Sequence, residues 1–531
     1  MRQFDSAAVG GPNPRLSRRG LLRLGALIGA GAGASTLLAA CGGDGGSTPG
    51  GDPDAVLKVG LDTDVTSLIA FRQQGSAQML VTAALHRGLV AYDADGKIVP
   101  AIAESYEQQD ATFTFTLRSG VQFHDGSPVT AEVVKANLEF LASPDSAAKL
   151  SSVLRGIETV ETPDERTVVV TLAGPDAAFL AYLADVNAAI LPAAALGSTN
   201  PTWIGAGPFR HVAVQKGASV TVERFPGFFG GDAKLGGIEF HVYTDEAARD
   251  NALLSGELDM VSVVGWADYD RVETAGDLTL DVTSDGPFMF LTFNTTTGPF
   301  ADPRVRRAVG YAVNRENIVA AALEGRGTPM FGLPVPQSSE IYNDTYASHW
   351  RLDPDEARRL LTEAGYPNGF EARLLATSAP KFHQDAALSV QSDLEKVGIR
   401  LTLDSPDWAG RVERGTKGDY DIAVYGSVGV VNDPSSIDQF LVGPPNQNRS
   451  FGFADERITE LIASGRRETQ PAARKQVYDQ LQQAVLEQAP IVGLVWRDQA
   501  YGYNSSVAGF DNLPGFLTYE SGYSFATVTK G

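Results

Sequence analysis

One cysteine, Cys41, stands in a chain of 531 residues, so no disulfide is available within it and its stability must come from burial. Histidine is scarce as well. The six, His86, His124, His211, His241, His349 and His383, never stand at i,i+4 or cluster with a second ligand type, which argues against a metal cage built by the protein. Basic residues are the minority, 43 Lys and Arg against 64 Asp and Glu, for a net charge of −21. So acidic a surface repels nucleic acid and anionic lipid, and neither is expected as a direct partner. Catalytic signatures are missing too. Gly205-Ala206-Gly207 lacks the third glycine of a dinucleotide fingerprint, and there is no GxxxxGK[ST] loop and no GxSxG elbow. The chain is expected to be no enzyme and to need no cofactor.

Beyond residue 40 no apolar run is long enough to span a bilayer, but the first forty residues are distinctive. The twin-arginine stretch Ser17-Arg18-Arg19-Gly20-Leu21-Leu22-Arg23 opens an apolar run from Leu24 to Ala40, which closes on Leu38-Ala39-Ala40-Cys41. A charged region, an apolar region and small residues before the cut build a secretory signal. Its twin arginines suggest Tat export. A thiol at that point is suited to acylation, and the stretch resembles the lipobox of bacterial lipoproteins. Residues 1–40 are thus expected to be a cleaved signal peptide, and Cys41 the lipidated residue. Residues 41–53 would then form a flexible tether, because Gly42 to Pro53 (GGDGGSTPGGDP) offers nothing to a core. Cleavage makes the mature chain more acidic still, since the leader holds five arginines against one aspartate.

The remainder is too long for one hydrophobic core and suits two or three domains. Thr112 to Arg118 (TFTFTLR) alternates Phe113, Phe115 and Leu117 with polar residues, the period of a half-buried strand, and Thr167–Leu172 and Ser219–Phe225 read likewise. Asp302-Pro303 starts a helix with Val305, Ala308, Val309 and Ala312 on one face. Asp353-Pro354-Asp355-Glu356 starts another, with Glu356 at a capping-box position, Leu360, Leu361 and Ala364 inward and Gly365 as its end. Mixed elements over this length predict an α/β protein of more than one lobe. Phe123-His124-Asp125-Gly126-Ser127-Pro128 sets a histidine beside an aspartate, but Asp-Gly followed by Ser-Pro is turn chemistry, and a structural role is expected.

Several segments in order resemble the family 5 solute-binding proteins of ABC transporters, the group of dipeptide, oligopeptide and nickel receptors. They are Ala101-Ile-Ala-Glu-Ser-Tyr with TFTFTLRSGVQFHDGSPVTAEVV, GAGPFR from Gly205, SVTVERFPGFF and GELDMV from Gly256. FNTTTGPFADPRVRRAVGYAVNRENIV from Phe293, DPDEARRLLTEAGYPNG from Asp353, GDYDIAVYG from Gly418 and APIVGLVW from Ala489 complete them. The resemblance implies a periplasmic-binding-protein-like fold of class II, cluster C type, with two lobes, an inserted domain and a hinge of two crossing strands. Domain I would comprise residues 54–92, 205–284 and 498–531, domain II 93–204 and domain III 285–497. The implied receptor is extracytoplasmic. It closes on a solute by hinge motion and docks on permease subunits, while its lipid anchor holds it to the membrane. A metal could still arrive inside a chelate.

Ligand identity turns on one loop. In peptide-binding relatives an aspartate three positions before an acid and proline pairs with the peptide's α-ammonium. Here the stretch Tyr425-Gly426-Ser427-Val428-Gly429-Val430-Val431-Asn432-Asp433-Pro434 puts Val430 there, and valine supplies no anion. Asp433 either substitutes or caps a turn. The resemblance further marks Trp408, Trp266 and Trp496 as aromatic candidates, Thr66, Ser67 and Phe71 in the loop after the first strand, and Phe288 and Asn294 flanking the strand after the hinge. Arg72 could receive a carboxylate. Tyr425, Ser427 and Asn432 belong to the same candidate set. A peptide or peptide-like solute is the first expectation, a sugar-like or metal-chelate solute the second, and sensing without import a third.

Overall fold

The chain passes between two large sheets twice, and those two passages organise the molecule. The computed structural model describes residues 52–531 apart from 66, 67, 70, 74, 444 and 445, so the leader, Cys41, the proposed tether up to residue 51, Thr66 and Ser67 lie outside the described residues. A seven-stranded sheet runs in the order Leu278–Thr283, Gln499–Asn504, Met260–Val261, Val56–Leu61, Gly237–Val242, Ser219–Arg224, Phe209–Gln215. A six-stranded sheet runs Gly327–Pro329, Ile491–Arg497, Phe288–Phe293, Ile422–Ser427, Phe370–Leu375, Ile399–Asp404. A four-stranded sheet holds Ala103–Gln109, Thr112–Leu117, Thr167–Leu172 and Ile157–Glu161.

Sequence pattern sets these elements. Phe113, Phe115 and Leu117 are buried on one face of their strand, as the alternation predicts, and Thr167–Leu172 and Ser219–Arg224 are strands. Phe288–Phe293 (FMFLTF) is buried at all six positions, which marks a strand covered on both faces. Helix Pro303–Ala312 starts on Asp302, whose carboxylate accepts from the Arg304 amide, and buries Val305, Ala308, Val309 and Ala312. Helix Pro354–Glu363 starts on Asp353, which accepts from the Glu356 amide at 2.9 Å. The reciprocal half of the predicted capping box does not form. The Asp353 amide is given to the Tyr311 carbonyl at 2.8 Å, and the Glu356 carboxylate turns to Arg359 instead.

The first passage leaves Leu278–Thr283, takes Ser284 to Pro287 and enters Phe288–Phe293; the return leaves Ile491–Arg497, takes Asp498 and enters Gln499–Asn504. Thr283 pairs with Gln499, Phe288 pairs with Trp496, and the Arg497 amide donates to the Pro287 carbonyl at 2.8 Å. The two passages are therefore one hydrogen-bonded ribbon with a few residues free to absorb rotation.

Each sheet has its own buried cluster. The cluster on the four-stranded sheet also takes in Leu513, Leu517 and Tyr523 from the C-terminal segment and Val431 from the far lobe. Phe516 is inserted the other way, into the cluster on the six-stranded sheet.

Candidate functional site

One end of the six-stranded sheet faces the crossing, and the register there brings Phe288 opposite both Ser427 and Trp496. Phe290, two residues further in, lies opposite Tyr425. The rings of Phe288 and Trp496 are 5.6 Å apart, and the inserted Phe516 lies 6.0 Å from Phe288. Cavities open along this seam. One of about 270 Å³ lies between Gly96, the loops at Pro334 and Asn432, and Phe516. A second, about 340 Å³, is lined by Trp266, Phe382, Lys381, Glu246, Arg497 and Asp498. A third, about 500 Å³, includes Asp285, Gln337 and Trp496. Each is at or near the size range of small-solute sites.

From the second cavity a chain of rings leads into the six-stranded lobe. Trp266 packs on Phe382 at 5.4 Å, Phe382 stacks on His383 at 4.6 Å, and His383 meets Trp408 edge-on at 6.4 Å. The Arg411 guanidinium follows, 4.6 Å from the Trp408 ring centre and 4.0 Å from that of Tyr425. Helix Trp408–Lys417, capped by Asp407, puts Trp408, Arg411 and Gly415 on one face by their spacing of three and four. Gly415 has no alternative there, because a Cβ would come within 2.1 Å of the Tyr425 hydroxyl. Gly426 likewise gives room to His383, whose Cε1 lies 3.0 Å from where a Cβ would be. Burial, then the charges of Arg411 and Arg497, holds His383 neutral well below its usual range. Burial also lowers Arg411 to about 10, with Tyr425 opposing.

The opposite lobe supplies buried acid behind the loop that carries Phe71. Asp185 is 1% and Glu520 0% exposed. The Val186 amide donates to Glu520 Oε2 at 3.3 Å, and Asn187 donates to Asp185 Oδ1 through its amide and side chain at 2.7 and 2.9 Å. Asn187 also clasps the backbone of Gln73 in both directions. Burial, then the neighbouring Asp185, pushes the Glu520 carboxyl well above the carboxylate range.

Comparison with known proteins decides what such a seam belongs to. The profile of "Bacterial extracellular solute-binding proteins, family 5 Middle" matches residues 97–449. The chain belongs to this family. It is 30% identical over 480 residues to the glutathione-binding protein GsiB of Pectobacterium atrosepticum, covering 87% of this chain and 92% of the relative. The structure of the periplasmic binding protein AgaA of A. tumefaciens R10 with agropinic acid superposes with a TM-score of 0.83 at 40% identity, over 90% of this chain and 99% of that one. The Helicobacter pylori protein DppA with the peptide STSA shares the fold, with a TM-score of 0.78 at 23% identity over 90% and 98%. The fold is that of family 5 periplasmic binding proteins, and the family serves transport, not catalysis.

Apart from Thr66 and Ser67, which lie outside the described residues, each candidate residue has a place in this frame. Phe288, Ser427, Trp496 and Tyr425 gather at the sheet end. Trp266 lies across the crossing, its indole donating to the Asp498 carbonyl at 3.0 Å. Trp408 is 48% exposed on one side and covered by Arg411 on the other. Val430 packs on the cluster of the four-stranded sheet. Asn432 bridges the lobes, donating to the Pro514 carbonyl at 2.9 Å and accepting from the Phe516 amide at 2.9 Å. Asp433 caps the turn at Ser435 and pairs with Arg474 at 2.8 Å. Phe71 packs on Phe140 at 5.5 Å, and Arg72 donates to the Ser146 carbonyl. Asn294 is at the other end of its strand, about 20 Å from Phe288 at about 3.3 Å per residue, holding the Gly418 carbonyl and Thr296. His124 is bonded to Gly205 and Gly207, and Asp125 to Ser127, a turn with its anchor. Sequence reasoning passed over His383, Arg497, Phe516 and Arg411; for Arg411 the signal was its position three residues after Trp408 on one helix face.

Proposed function

We propose that this chain is the solute-binding subunit of an ABC importer that captures a peptide or peptide-like solute between its lobes and delivers it to a membrane permease. The observation that carries the reading is the paired-strand crossing with solute-sized cavities along the seam it controls. A solute that touches both lobes favours the closed form, so binding and closure are one equilibrium. The likeness to a protein named for glutathione and to one solved with agropinic acid supports a small amide- or acid-bearing solute over a sugar. We assign three domains: residues 54–92, 205–284 and 498–531 as domain I, 93–204 as domain II, and 285–497 as domain III. Acylation at Cys41 anchors the receptor outside the membrane and keeps it near its permease. Tat export, read from the twin arginines, delivers it there.

Native mass spectrometry of the chain starting at Gly42, gently purified, tests the ligand class. A co-purifying peptide-like mass is expected; a hexose-spaced series would replace the reading with a saccharide receptor. Intact mass of the membrane-extracted full chain should show a diacylglyceryl adduct on Cys41.

A further inference from the structure

Buried arginines in this protein are normally satisfied by carbonyls. Arg315, 0% exposed, donates through Nε and Nη1 to those of Met330, Gly493, Gly310, Val313 and Trp350, leaving Nη2 alone without an acceptor among the described residues. Arg306 is bonded to the carbonyls of Gln488, Ala489, Phe300 and Ala301. Arg411 departs from this pattern. It is 1% exposed, and its Nε and both terminal nitrogens have no acceptor among the described residues. Leaving a charged fork dry and unpaired is destabilising, an effect that the two flanking rings offset in part.

The flanking rings also say what the fork can receive. Trp408 and Tyr425 lie over the guanidinium at 4.6 and 4.0 Å. Guanidinium donors point outward in its plane, so a group held between two ring faces has its donor edge free for a planar, bidentate acceptor. The Tyr425 hydroxyl and His383 Nδ1 are also buried without partners among the described residues, and no carboxylate among those residues pairs with Arg411. Electrostatically this buried cluster of Arg411, Tyr425 and His383 lacks an anion.

We propose that Arg411 is the receptor for a carboxylate of the transported solute, clamped between Trp408 and Tyr425 at the inner end of the ring chain that leads from the crossing. This rests on reading the chain as a solute receptor and narrows its ligand class to acids.

The test compares the mature chain with Arg411→Met, using calorimetry with glutathione, its dimethyl ester and agropinic acid, and thermal melting without ligand. A site kept for a ligand at the expense of stability gives a variant that melts at or above the wild type and binds the acids at least 100-fold more weakly, with the ester also weakened on the wild type. A structural arginine gives the reverse, a lower melting point and unchanged affinity, which overturns the proposal. If the wild type binds neither glutathione nor agropinic acid, the peptide-like reading fails, and succinate then judges the carboxylate site alone. Succinate raising the melting point of the wild type but not of Arg411→Met upholds the site, and its raising neither overturns it.

Discussion

Asp250 shows how one buried carboxylate couples this fold to pH. It is 0% exposed, its Oδ2 accepts from the Gly265 amide at 2.8 Å, and Arg249 stays 3.8 Å away, satisfied by the carbonyls of Val263 and Tyr243. Burial raises its pKa to about 6, against the Gly265 bond and Arg249. Because the folded value is raised, the contribution to stability is full below the ordinary value of 3.8 and is lost as pH rises through about 6. Asp250→Asn keeps an oxygen for Gly265 and removes the titration. The variant should gain up to about 3 kcal/mol relative to the wild type between pH 4 and pH 7.5; urea unfolding at both values checks it, and a pH-independent difference would refute it. Other single residues were legible to different depths. The proline after Asp433 announced a turn cap, and the cap is there, but its partner Arg474 is forty-one positions on, and only the fold brings them together. Arg411 was half hidden for a related reason: its spacing from Trp408 puts the two on one helix face, but only the fold brings Tyr425 over it.

At the scale of elements, the pattern was most legible where a single element decides its own burial. The strand at Thr112 and the helices at Pro303 and Pro354 needed only their own periodicity and caps. The capping box failed because Tyr311, on a neighbouring helix, claimed the Asp353 amide first. Asn294, which flanks Phe288–Phe293, was misplaced relative to the seam because a strand carries its ends apart and the sequence does not say which end faces the other lobe. The loop after Ile422–Ser427 illustrates what the lobes demand of each other. Gly429 has φ +72° and its position would put a Cβ 2.2 Å from Cγ of Phe516. Phe516 is in turn held by Asn432 and by the rings of Phe288 and Trp496. Gly429→Ala should therefore cost about 3 kcal/mol, from left-handed backbone strain and overpacking together. Chemical denaturation measures the loss, and a change below about 0.5 kcal/mol would mean that Phe516 is free to move aside.

The whole molecule closes through contacts far from the crossing. Patterns of period two or four could not reveal them, since each joins segments hundreds of residues apart; length and mixed elements gave more than one lobe, and the ordered family segments gave the two-lobed plan with its inserted domain. Arg466 of the six-stranded lobe pairs with Asp176 of the other, donates to the Val153 carbonyl at 3.3 Å and offers its own carbonyl to the Ala177 amide at 2.8 Å. Nearby, the Tyr182 hydroxyl meets Ser435 Oγ at 3.2 Å. A ribbon hinge gives little resistance to opening, so a charge pair at the rim, mostly buried at 20% and 16% exposure, acts as a latch with long leverage. Arg466→Ala removes the pair and leaves both lobe cores intact, so it acts on the open–closed balance and leaves unfolding of the cores little changed. Solute release should speed up about tenfold, equivalent to about 1.4 kcal/mol, while association changes little. Stopped-flow displacement followed by tryptophan fluorescence reads the release rate, and small-angle scattering of the ligand-free variant should show a larger radius of gyration than the wild type. An unchanged release rate with an unchanged radius would assign closure to the solute and the Asn432–Phe516 bridge alone.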